Sequence, residues 1–110
     1  MTAADFVASW RNEKDDLVQT FMGDHTETLA SQKIKAMGLS DQQAAILREL
    51  LEVVLTDTMY TLLLGLDGAA SIGGSQHSYK VFDESGALIC GDGLVEIEAY
   101  SQFHQGTQSS

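Results

Sequence analysis

At 110 residues the chain has room for one hydrophobic core but not two. Its 44% hydrophobic and 20% charged content excludes wholesale disorder, and its single cysteine, Cys90, excludes an internal disulfide or a cysteine-cluster zinc site. Sixteen acids against six bases leave a net charge of −10, which repels nucleic-acid phosphates and anionic membranes and attracts basic proteins.

The first element expected is a helix from Ala3 to Met22. Phe6, Trp10, Leu17 and Phe21 recur at helical spacing, and Arg11, Glu13, Lys14, Asp15 and Asp16 fill the solvated positions. Thr2 suits its N-cap and Gly23 its stop. A shorter helix is expected from His25 to Met37, with Asp24 and Glu27 spaced as a capping box and Gly38 closing it. A third begins after Ser40, whose partner Gln43 completes a capping box, and runs without Gly or Pro to Leu64, where Gly65 ends or bends it. Leu47, Leu50, Leu51, Val54, Leu55, Met59 and Leu62 give it a broad apolar stripe, so it reads as the central helix.

Small residues and no sustained period mark 67–78 as a connector, with room for one helical turn at 69–72. Ser78–Phe82 and Ala87–Cys90 then read as strands joined by a type I turn, with Asp83 first and Gly86 last. Leu94, Ile97, Tyr100 and Phe103 recur every three residues, favouring a final short helix over a third strand. The expected fold is therefore α+β: three N-terminal helices, the third long and central, with a C-terminal β-hairpin and a short final helix. Residues 1–104 form one globular domain, and 105–110 form a flexible polar tail.

Few residues point to chemistry. His25, His77 and His104 fall on separate elements without metal-motif spacing, so neither a metal site nor a cofactor is expected. Cys90 sits among apolar and acidic neighbours that disfavour a thiolate. Asp57, inside the most apolar helix, invites pairing with Asp67 as general acid and base; its simpler reading is that Val53, Asp57 and Thr61 mark a solvent-facing side. The glycine-rich run 65–75 lacks the Lys-Ser or Lys-Thr of a phosphate-binding loop and follows a helix instead of a strand.

The segment TDTMYTLLLGLDGAASIGGSQHSYKVFDESGALICGDG, Thr56 to Gly93, resembles a group of short acidic bacterial proteins. They similarly end a leucine-rich helix in an LDG step, followed by a glycine-rich loop and a DE-x-G hairpin. The resemblance covers about a third of the chain and points to the toxin-immunity class, with no catalytic residues to carry over.

The functional expectation is a cytoplasmic, non-enzymatic protein-binding domain, an immunity-type inhibitor that neutralises a basic partner toxin such as a nuclease. No secretory signal is visible in MTAADFVASW, and neither nucleic acid nor membrane is an expected partner. The half of the chain after Leu55 holds seven acids and one base, Lys80. From it come the expected partner-binding residues Asp67, Asp83, Glu84, Asp92, Glu96 and Glu98. The alternatives are a structural or regulatory homodimer pairing through the hairpin edge, and a small hydrolase built on Asp57, Asp67 and a histidine.

Overall fold

A computed structural model describes residues 1–24 and 26–105. The expected start of the second helix at His25, and residues 106–110 of the expected tail, lie outside the described residues. In chain order the elements are α1 (Ala3–Phe21), α2 (Leu29–Ala36), α3 (Asp41–Leu66), β1 (Val81–Phe82), β2 (Leu88–Cys90) and α4 (Leu94–Tyr100). The last runs on into a π-helical turn, Ser101–Gln105. The α+β arrangement with a long third helix, a hairpin and a short final helix is thus present.

Three helices begin with reciprocal caps. The Thr2 hydroxyl accepts from the Asp5 backbone N–H while the Asp5 carboxylate accepts from that of Thr2, and the latter bonds hold the Asp5 carboxyl below its usual range. Ser40 and Gln43 repeat the arrangement at α3, as their spacing predicts. At α2 the cap is not Asp24 with Glu27 but Thr28 with Ser31. Helix α2 therefore starts later than expected, and Asp24 instead accepts from Arg48 on α3 at 2.7 Å.

The main core cluster gathers at the C-terminal end of α3. Val7 of α1, Leu63 of α3, Ile89 and Cys90 of β2, Val95 and Ala99 of α4 and Phe103 of the π-helical turn pack together, with Phe6, Trp10, Met59 and Tyr60 around them. On α1 the deepest line is Val7, Lys14 and Val18, rotated from the expected Phe6–Trp10–Leu17–Phe21 stripe. Lys14, expected on the solvated face, is buried; its amine meets Asp15 at 3.2 Å while its aliphatic stem is covered.

Along α3 the fully buried residues, Leu63 and Gly65, both fall near the C-terminal end. Gly65 does not stop the helix. A Cβ there would come within 2.4 Å of the Ile72 side chain, so the glycine lets the connector close over the last turn. The connector forms a tight bridge between Ile72 and Ser75 in place of a helical turn.

The hairpin is shorter than expected. Val81 pairs with Cys90 and Phe82 with Leu88, leaving Ile89 as a bulged extra residue. The bulge explains why consecutive Ile89 and Cys90 are both buried, where a regular strand would turn one outward. The turn is as expected: Gly86 donates to the Asp83 carbonyl at 3.0 Å and adopts φ +90°.

Candidate functional site

Asp67 follows the last turn of α3 and is buried. Its Oδ1 accepts from the backbone N–H of Gly91 at 2.6 Å and of Gly93 at 3.2 Å, and its Oδ2 accepts from that of Glu96 at 2.9 Å. Helix α4 begins at Gly93, which has no side chain to cap it. Asp67 supplies that cap from another helix, placing a negative charge where the helix dipole favours one. The expectation that Asp67 faces a partner is corrected: its oxygens are occupied inside the fold.

Asp83 is also largely occupied. Its Oδ1 accepts from the backbone N–H groups of Ser85 and Ala87 and from the Ser85 hydroxyl, and its Oδ2 meets the Met1 ammonium at 3.0 Å. The Ser85 hydroxyl first, then the ammonium, hold its carboxyl well below the usual range. It is a turn-forming residue.

The other four expected residues reach the surface. Glu84 is exposed at the hairpin tip. Asp92 is exposed and accepts from the Leu94 backbone N–H at 3.2 Å. Glu96 is exposed on α4, and half-buried Glu98 accepts from the Gln102 amide at 3.2 Å. Glu96 and Glu98 share a shallow cleft of about 480 Å³ with Tyr60, Ile97, Tyr100 and Ser101. Burial, then the Glu96 carboxylate and Tyr100, push the Tyr60 hydroxyl pKa upward. His104 stands edge-on to Tyr60, with ring centroids 4.3 Å apart, and 5.7 Å from Tyr100.

The Glu96 carboxylate, two phenol rings and an exposed isoleucine suit a basic side chain; Glu98, two residues along the same helix, turns its carboxylate toward Gln102. Carboxylates accept from guanidinium or ammonium groups, and aromatic faces attract the same cations. The carboxylates stand out in the sequence by charge, whereas the role of the tyrosines does not. The available signal was Tyr60 in α3 and Tyr100 in α4, aromatic residues at the edge of each apolar stripe.

The acid–base pair considered for hydrolysis does not come together, although Asp57 and His104 line one cleft with Lys14, Glu49 and Glu52. Asp57 is exposed on α3, and ten residues of helix, about 15 Å, separate it from buried Asp67. His77 packs edge-on to Tyr79. Among the described residues no three His, Cys, Asp or Glu side chains are grouped to hold a metal ion. Cys90 is buried, and burial together with Asp67 and Asp92 pushes its thiol up to about 11. Among the described residues no helix is long and apolar enough to cross a membrane.

The chain matches no protein-family model, no curated protein and no solved structure.

Proposed function

We propose that the protein is a non-enzymatic binding domain that receives a basic segment of a partner protein, in the immunity manner, by covering the cationic surface of a toxin such as a nuclease. The observation that carries this reading is the α4 cleft, lined by Glu96, Glu98, Tyr60 and Tyr100, in which the Glu96 carboxylate is close enough to push the Tyr60 hydroxyl pKa upward. The net charge of −10 draws a basic protein toward it, and the cleft adds a specific seat for arginine or lysine. Carboxylates placed on a toxin's substrate-phosphate subsites would block them by occupation, without chemistry on the inhibitor's side.

The test is titration with an arginine-rich peptide, followed through the ring resonances of Tyr60 and Tyr100. Saturable shifts that weaken with salt, and that disappear in a Glu96→Gln/Glu98→Gln variant, are expected. Equal binding to that variant and to the parent chain would refute the cleft as the seat. A Glu13→Gln/Asp16→Asn variant, on the exposed side of α1, removes two charges elsewhere and controls for general attraction.

A further inference from the structure

Among the described residues, the N-terminal part of α3 bears a largely uncovered apolar face, bordered at Val53 by the cleft it shares with Lys14 and His104. Ile46, Leu50, Val53 and Val54 fall on one side of the helix and are 59%, 55%, 57% and 48% exposed. Asp57 and Thr61 continue that side toward the C-terminus and Gln43 toward the N-terminus, all exposed. The stripe is longer than a scatter of single surface residues, which would need no explanation.

We infer that this face is a homodimer interface in which two copies of α3 pack antiparallel about a two-fold axis at Leu50. The inference is independent of the partner-binding reading and uses a different surface. Two observations select a second copy as the occupant.

The first is area. Four roughly half-exposed aliphatic side chains present on the order of 400 Å² of apolar surface. Interfaces are about 56–65% apolar, so the patch corresponds to a contact of roughly 600–700 Å² per copy. A stable standard-size interface needs about 600–1,000 Å² from each partner, so the patch reaches the lower end of that range.

The second is register. With the axis at Leu50, Ile46 of one copy lies opposite Val54 of the other, and the exposed carboxylate of Asp57 lies opposite Gln43, an amide donor. A parallel pair would instead set Asp57 against Asp57 at an apolar seam, two like charges facing each other. Asp57, in line with the aliphatic residues, therefore fits the antiparallel arrangement and opposes the parallel one, while Glu49 and Glu52 stay at the rim. The hairpin edge, considered from sequence as a pairing surface, offers only two residues of β1 and three of β2 with a bulge between them.

Because each copy carries −10, association is opposed by repulsion that salt screens. Dimerisation should therefore strengthen with ionic strength, whereas capture of a basic peptide should weaken. The opposite salt responses separate failure of one idea from failure of the other.

The experiment is sedimentation equilibrium of the whole chain from roughly 1 µM to roughly 500 µM, at about 50 mM and about 500 mM salt. The expected mass rises from 11.9 kDa toward twice that value, at lower concentration in the higher salt. Leu50→Glu places two carboxylates face to face on the axis and should weaken association at least tenfold, with its helical circular dichroism unchanged because Leu50 is exposed. Leu50→Cys should cross-link with itself under mild oxidation, while Ile46→Cys and Val54→Cys should link only when mixed. A chain that stays monomeric across the whole range at high salt overturns the inference. So does a dimer that survives Leu50→Glu, or one in which Val54→Cys links to itself as readily as to Ile46→Cys.

Discussion

Replacing Asp67 with Asn leaves the side chain's shape intact but removes its charge and half of its acceptor capacity. The carboxylate now serves three backbone donors, two at Oδ1 and one at Oδ2. If the Asn oxygen keeps Gly91 and Gly93, its NH₂ group is set against the Glu96 N–H, two donors facing each other. Leaving that N–H unsatisfied costs about 1–3 kcal/mol, and turning two charge-assisted bonds into neutral ones costs about 0.5–1 kcal/mol each. Loss of the favourable charge at the α4 N-terminus adds about 0.3–1 kcal/mol. The expected destabilisation is about 3 kcal/mol, a large part of the roughly 5–15 kcal/mol available to a small domain. At this chain length it corresponds to a fall in Tm of about 10–20 °C. Urea unfolding followed by circular dichroism and Trp10 fluorescence measures it, with exposed Asp92→Asn as a control expected to change little. An Asp67→Asn variant within about 0.5 kcal/mol of the parent would show that the three bonds are not what joins α3 to α4.

Gly91→Ala should destabilise by about 2–4 kcal/mol in the same assay, because φ is +113° and the new Cβ would lie 2.7 Å from the Tyr79 carbonyl oxygen. Wild-type stability there would mean that the connector yields without cost. The Cys90 thiol, buried and raised to about 11, should react with a disulfide reagent at neutral pH only after urea unfolds the chain; prompt reaction of the native protein would contradict its burial. Asp83 has a folded-state pKa below its ordinary 3.8, so its contribution is present above that pH and is lost as pH falls through the lower folded value. The stability of Asp83→Asn should therefore depend less steeply on pH through the acid limb, and an unchanged slope would count against the Ser85 and Ala87 bonds.

Much of the fold was legible because local signals agreed with the tertiary outcome. Ser40 with Gln43 marked the start of α3, and Asp83 with Gly86 marked the hairpin turn. Local spacing misleads where a distant group decides the matter. The Asp24–Glu27 spacing was adequate for a cap, but Asp24 is taken by Arg48, 24 residues away, and Thr28 with Ser31 caps α2 instead. Lys14 looked solvated by its charge, yet its position on α1 places it between Val7 and Val18 on the buried line. The candidate site divides the same way. Glu84, Asp92, Glu96 and Glu98 reach the surface, whereas Asp67 was withdrawn because Gly93 cannot cap its own helix. No local pattern shows that a glycine-started helix will borrow a carboxylate 26 residues upstream.

The off-centre core also grades how long each part of α3 retains its amide protons. Around Leu63 the backbone is locked beneath β2, α4 and the π-helical turn, so exchange with deuterium there requires global opening. From Asp41 to about Val54 the helix has no fully buried residue and rests on its cap, its own backbone ladder and the half-buried side it turns to α1, and a single helix of that length is marginal in water. A monomer should therefore wash out from the Asp41 end first, within one uninterrupted helix, long before Leu63 gives up its proton.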